Sequence, residues 1–253
     1  MIPVERHRTI LALLKEQEVI SINTLEKRLQ VSHMTIRRDI SKLEAEGRVL
    51  SITGGVQLTK SLQNEESHDN KVLQNSDEKE SISLLAFKQI KESKVIYLDA
   101  GTTTLEIAKR IAKLDDLTVI TNDFVIANYL TSNSQCIVYH TGGKIDRVNK
   151  SSVGNKTAQA IREFNIDLAF ISTSSWNQRG ISTPSEEKVT VKKAICDVAN
   201  TCCLVSDSSK YGKIAPFHAV NIERFDLVLT DKHLSQYALE GLMQKGIDVL
   251  TTG

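Results

Sequence analysis

The 253-residue chain has no run of about 18 apolar residues, so no membrane-spanning helix is expected. Its start, Met1-Ile2-Pro3-Val4-Glu5-Arg6, lacks the basic-then-apolar order of a signal peptide, and a cytoplasmic protein without membrane contact is expected. Three prolines and twelve glycines exclude a low-complexity chain. The four cysteines, Cys136, Cys196, Cys202 and Cys203, have no metal-ligand spacing, and two are adjacent in an apolar run. They read as reduced buried thiols, and neither a metal nor a cofactor is expected. Net charge is nearly absent too, at +1 from 32 basic and 31 acidic residues, where a nucleic-acid-binding chain usually carries a basic excess. What the chain does have is 40% hydrophobic residues over a length suited to one or two packed domains.

The near-zero charge hides a division. Residues 1–60 hold ten Lys/Arg and seven Asp/Glu, residues 61–80 hold two and six, and residues 81–253 hold twenty and eighteen. The acidic block, with Glu65, Glu66 and Asp69 among polar neighbours, has the composition of a linker. The expected organisation is a domain over residues 1–58, a linker over 59–78 and a second domain over 79–253.

In the first domain Val4, His7, Ile10, Leu11 and Leu14 recur at helical spacing and predict a helix over 4–17. Asn23, with Glu26 three residues on, reads as the capping box of a short second helix carrying Leu25 and Leu29. A third helix starts at the cap Ser32, buries Ile36, Ile40 and Leu43, and ends at Gly47. On a helical wheel Met34, Arg38, Ser41 and Ala45 face away from that buried stripe, with Thr35, Arg37 and Lys42 on its flanks. The segment Arg48 to Leu58, turning at Thr53-Gly54-Gly55, alternates as a hairpin does and would form a wing.

A short helix, a three-residue turn and a second helix with basic and hydroxylic residues at its exposed start is helix-turn-helix geometry for the major groove. Arginine can read guanine with two hydrogen bonds, and Thr35 and Met34 suit phosphate or thymine-methyl contacts. The candidate DNA contacts are Ser32, His33, Met34, Thr35, Arg37, Arg38, Ser41, Lys42, Arg48, Gly54 and Gly55. The competing reading is a solvated face whose cations pair with Asp39 and Glu46, and His33 fits a solvated cap neighbour as well as a base reader. The winged-helix order of elements within sixty residues favours DNA. Arg6, Ile10 and Leu14, then Ser32 and Thr35-Ile36-Arg37-Arg38-Asp39-Ile40, resemble in order and spacing the DeoR family of bacterial transcription regulators. The resemblance implies that Arg37 and Arg38 lie in the recognition helix.

Past the linker, Lys79 to Ile90 reads as a helix. Short apolar runs at Val95–Leu98, Thr118–Ile120, Cys136–Tyr139, Leu168–Ile171, Cys202–Val205 and Leu227–Leu229 then alternate with helix-length segments. This predicts an α/β domain around a largely parallel sheet, with ligand binding beyond the carboxyl ends of its strands. At those ends lie Asp99 to Thr104, Thr121-Asn122, Gly142-Gly143-Lys144, Asp207 to Lys210 and Thr230-Asp231. Gly101 with Thr102, Thr103 and Thr104 at a helix start reads as a phosphate cradle, or as a hydroxyl-rich cap with no ligand. No Walker or dinucleotide-binding spacing occurs.

The same landmarks resemble the DeoR-type effector domain, whose fold is similar to ribose-5-phosphate isomerase and related sugar-phosphate enzymes. The resemblance implies a phosphorylated sugar or sugar acid as effector, a homo-oligomer (dimer or tetramer), and repression relieved by ligand. The implied effector contacts are Asp99, Gly101, Thr102, Thr103, Thr104, Thr121, Asn122, Gly142, Gly143, Lys144, Glu187, Lys193, Asp207 and Lys210. Ser172 to Trp176 departs from the family's pattern, and Trp176 reads as core filling more readily than as pocket wall.

An isomerase carrying a winged-helix module is the alternative, since Asp99, Glu187, Lys193, Asp207 and Lys210 could supply an acid and a base. A winged helix serving as a protein-interaction module is a third. A DNA reader joined to a sugar-phosphate fold favours a ligand-controlled repressor of a carbohydrate-catabolism operon over a catalyst.

Overall fold

The computed structural model describes residues 1–52 and 54–253; Thr53, expected at the wing turn, lies outside the described residues. The chain opens with α1 (Pro3–Glu16), β1 (Val19–Ser21), α2 (Ile22–Leu29), α3 (His33–Ala45), β2 (Val49–Ile52) and β3 (Gly55–Leu58). The strands form an antiparallel sheet in the order β1-β3-β2. Ile10, Leu14, Leu25, Ile36, Ile40, Leu43 and Val56 close a core beneath it, as the helical periodicity requires. The cap of α2 differs from expectation: Ser21, not Asn23, accepts the Thr24 amide at 3.1 Å. Ser21 ends β1 in extended backbone, which puts its hydroxyl in reach of the free amides two residues earlier than the Asn23 pattern suggests.

The acidic stretch is folded. It holds β4 (Lys60–Ser61) and α4 (His68–Val72), and runs as a strap into α5 (Ser76–Phe87). There follow β5 (Val95–Leu98), α6 (Thr102–Ile111), β6 (Thr118–Thr121), α7 (Phe124–Asn133), β7 (Ile137–His140), β8 (Lys144–Asp146) and β9 (Ser151–Val153). Next come α8 (Asn155–Ile161), β10 (Ile166–Ser172), β11 (Ser175–Asn177), β12 (Gly180–Thr183), α9 (Glu186–Val198) and β13 (Ala199–Val205). A short 3-10 turn (Ser208–Lys210), β14 (Lys213–Ile214), β15 (Phe217–Asn221), β16 (Leu227–Thr230), α10 (Gln236–Met243) and β17 (Asp248–Thr251) complete the chain.

Seven strands form the central sheet in the order β17-β16-β13-β10-β5-β6-β7, and every pair in it is parallel. Apolar clusters cover both faces, one around Trp176, Ile195 and Phe225, the other around Ile107, Val119 and Phe170. All six apolar runs of the sequence are strands of this sheet. The order reverses between β5 and β10, which opens a crevice beyond their carboxyl ends. No helix among the described residues is long and apolar enough to cross a membrane. Cys196, Cys202 and Cys203 are buried free thiols, and Cys136 is half-buried.

The N-terminal unit is packed on the sheet domain. Leu50 of β2 lies against Gly212, whose backbone has φ +77 and where a Cβ would stand 2.6 Å from the leucine methyls. The Tyr211 hydroxyl donates to Glu44 of α3 at 3.5 Å. The Tyr237 hydroxyl of α10 donates to the Arg37 carbonyl at 3.4 Å and meets the Ser41 hydroxyl. β4 adds a parallel pairing with β14.

Candidate functional site

Ser32 caps α3 by accepting the Thr35 amide at 3.3 Å. Ser32, His33, Met34, Arg37, Arg38, Ser41 and Lys42 are exposed, Met34 to 71%. Thr35 is half-buried and shares a hydroxyl hydrogen bond with Ser32 at 3.0 Å. In the wing, Arg48 is exposed and pairs loosely with Glu46 at 3.8 Å, and Gly54 has φ +77. Gly55 is buried, and a Cβ there would meet the Ile20 carbonyl at 2.7 Å, so β1 leaves no room for a side chain. Asp39 does not neutralise Arg37 or Arg38. It is 3% exposed and accepts from Arg6 Nε at 2.6 Å, Arg6 Nη2 at 3.0 Å and His7 Nε2 at 3.0 Å. The arginine face of α3 is therefore left without that counter-charge.

The second site is a cleft at the β5/β10 switch point. Asp99, Gly101, Thr102, Thr103, Asn122, Asp207 and Lys210, all picked out in the sequence, line it. Gly101 is needed there because a Cβ would fall 2.3 Å from Ser172 Oγ, and that hydroxyl is fixed by donation to the Ala100 carbonyl at 2.7 Å. The amide of Gly101 donates to Asp123 Oδ2, and the amides of Val125 and Ile126 donate to its Oδ1. Burial nonetheless raises the Asp123 carboxyl to about 6. Asp123 thus fixes the starts of α6 and α7 together, and the first turn of α6, at Thr102 and Thr103, lines the cleft.

The remaining sequence candidates are elsewhere. Thr104 spends its hydroxyl on the carbonyls of Asp99 and Gly101, at 2.6 and 2.8 Å. Thr121 donates to the Leu98 carbonyl at 2.7 Å. Gly142 and Gly143 pack on Thr157, and Lys144 pairs with Glu187 at 2.9 Å on an exposed surface. Lys193 lies in a separate groove with Asp197, His218 and Arg224. Trp176 is fully buried edge-on to Tyr211, with ring centres 4.9 Å apart, and serves the core.

Sequence reasoning missed Glu65, Lys71, Lys79, Lys188 and Lys192, which all line the cleft. Lys188 and Lys192 are one turn apart on α9, a spacing visible in the sequence. Lys192 Nζ donates to Asp99 Oδ2 and the Ser172 carbonyl, both at 2.6 Å. With Lys210, five lysines face three carboxylates, so the lining carries an excess of positive charge. Burial lowers the pKa of Lys71 and Lys79.

Glu65 reaches the cleft from the strap. Its Oε1 pairs with Lys71 at 3.2 Å, and its Oε2 takes Lys188 and the Asn149 amide, the latter at 3.1 Å. Burial alone would raise this carboxyl, but Lys188 and Lys71 outweigh it and hold it at about 2, below its ordinary 4.5. A depressed carboxylate contributes stability that is present above the unfolded value and is lost as pH falls through the folded one. The melting temperature of the wild type should therefore drop more steeply than that of Glu65→Gln as pH falls from 4.5 toward 2. Parallel pH profiles from thermal melts would contradict the assignment.

Comparison with known proteins covers both units. Residues 6–62 match a DeoR-like helix-turn-helix domain, and residues 74–232 match a DeoR C terminal sensor domain. An uncharacterized HTH-type transcriptional regulator of Haemophilus influenzae is 52% identical over 98% of this chain and 97% of its own. The glycerol-3-phosphate regulon repressor of Escherichia coli K12 is 30% identical over 90% of each. A ribose 5-phosphate isomerase of Methanocaldococcus jannaschii overlays on 54% of this chain and 55% of its own, at a TM-score of 0.39 and 18% identity. Nothing about activity follows from a match at that distance.

Proposed function

The chain belongs to the DeoR family of helix-turn-helix transcription regulators, and we propose that it is an operator-binding repressor of a carbohydrate-catabolism operon, switched by a phosphorylated sugar or sugar acid. On this reading Arg37 and Arg38 contact bases, Ser32, Thr35, Ser41 and Lys42 hold the backbone, and the wing with Arg48 and Gly54 flanks the groove. The effector phosphate meets the amides of Thr102 and Thr103 at the start of α6, with Lys210 and Lys79 supplying charge. One winged helix reads only a half-site, so the reading requires at least a dimer.

The observation that carries the proposal is the continuity between cleft and reader. Lys210 lines the cleft, and the next residue, Tyr211, hydrogen-bonds Glu44 on the helix that presents Arg37 and Arg38. A ligand that draws Lys210 inward pulls on that contact. A coupling of about 1–3 kcal/mol through such a contact changes operator affinity roughly 5–150-fold. A sensor role also suits Asp99 and Lys192, which are paired with each other and with the Ser172 backbone in place of standing free as acid and base.

A thermal-shift screen tests the effector class. Phosphorylated sugars and sugar acids should raise the melting temperature more than their unphosphorylated forms, since ligand at about 100 times its Kd adds about 2.7 kcal/mol. Any hit should then change the DNase footprint on the operator. Equal responses to phosphorylated and free forms would remove the phosphate site.

A further inference from the structure

A carboxylate largely withdrawn from water is costly unless its partners are well placed, and Glu65, with its side chain 15% exposed, has three. The ammonium groups of Lys71 and Lys188 and the side-chain amide of Asn149 converge on its two oxygens. Asn149 is itself held, its Oδ1 accepting from Lys71 and its Nδ2 also donating to Asp146 at 3.1 Å. Lys188 retains a second carboxylate, Asp146, at 3.4 Å. The cluster around Glu65 is thus built from α4 within the strap, α9 and the turn before β9. Glu65, Lys71 and Lys188 line the same cleft as the α6 amides.

Resting on the phosphate reading above, we infer that Lys71, Lys188 and Asn149 form a second anion subsite, filled by Glu65 when no effector is bound, and that the effector is a phosphorylated sugar acid whose carboxylate displaces Glu65. Exchange of one carboxylate for another keeps both lysines paired, whereas the aldehyde or hydroxyl end of a neutral sugar would leave Lys71 without a carboxylate and Lys188 with Asp146 alone. Displacement also has a mechanical result. Glu65 lies between β4 and α4, and β4 follows the wing strand β3 after the single residue Thr59. Expelling Glu65 releases the middle of the strap that joins reader to sensor. The same carboxylate would act as an internal competitor and as the pin that holds the strap.

Chemical rescue in the full chain tests the subsite without any phosphate. In Glu65→Ala, sodium acetate should raise the melting temperature above that seen with sodium chloride at equal ionic strength, and wild type should show no such difference. Identical responses in the two proteins would overturn the subsite.

Calorimetric titration tests the effector class. For 6-phosphogluconate and 4-phosphoerythronate the affinity should exceed that for glucose 6-phosphate and erythrose 4-phosphate, and Glu65→Ala should bind the two acids about tenfold tighter with the aldose phosphates unchanged. Glu65→Gln, a neutral group of the same volume, should shift the acids in the same direction if the alanine variant folds poorly. No gain for the acids, or an equal gain for both classes, would overturn the inference. Failure of the phosphate reading has a different signature. Inorganic phosphate would then stabilise neither protein, while the acetate result would still stand or fall by itself.

Discussion

Replacing Asp39 with alanine should destabilise the N-terminal unit by about 3–5 kcal/mol, the usual cost of stranding one member of a buried ion pair. The carboxylate is 3% exposed and receives two guanidinium hydrogen bonds from Arg6 and one from His7, so it joins the first turn of α1 to the middle of α3. Without it the Arg6 guanidinium is left with the Met1 carbonyl at 3.0 Å as its remaining partner. The measurement is urea denaturation followed by a probe in the reader. Arg6→Leu/Asp39→Leu should recover part of the loss, because two apolar side chains leave no stranded charge. A loss below about 1 kcal/mol for Asp39→Ala, the range of an exposed pair, would show that the contact is solvent-screened.

Arg37→Ala/Arg38→Ala should have the opposite profile. Both side chains are exposed and make no ion pair with Asp39, so the unfolding free energy should stay within about 0.5 kcal/mol of wild type. Operator affinity should collapse. Base-reading arginines are worth about 1–3 kcal/mol each, and their joint loss should weaken specific binding by at least about 30-fold. Mobility-shift titrations at fixed salt, against operator and scrambled duplexes, separate specific from general binding. A double variant that still prefers operator would remove α3 as the reading element.

The two variants also mark how far the sequence could be read. Helix periodicity and the Ser32 cap located α3, and the β-rich runs located six of the seven sheet strands. β17 escaped because Asp248-Val249-Leu250-Thr251 is an edge strand with only partial burial, and its pattern is weak. Asp39 falls three residues after Ile36 on the buried side of α3 and could have been placed there. Its charge suggested solvent instead, and only the distant Arg6 explains its burial.

The strap misled for a related reason. Its composition is that of a flexible linker, with Leu73 84% exposed and little apolar material to bury. It is ordered by lysines from elsewhere in the chain, such as Lys188, 123 residues away from Glu65. Long-range ion pairing leaves no local periodicity to detect. In the cleft, the glycine and threonine turn after β5 was legible because it is a local motif. Lys192 lines the cleft and Lys193 does not because Lys192 shares the inward side of α9 with Val191, Ala194 and Ile195, a difference of one residue in helical phase.

The contact between Tyr237 and α3 sets two partners in competition. Ser41 is engaged by Tyr237, and the Arg37 carbonyl receives the same hydroxyl. On the operator-binding reading, a phosphate that takes the Ser41 hydroxyl must displace the Tyr237 hydroxyl, so this contact replaces an existing hydrogen bond and adds little net affinity. A phenol on α10 thereby competes with DNA for a single hydroxyl of α3.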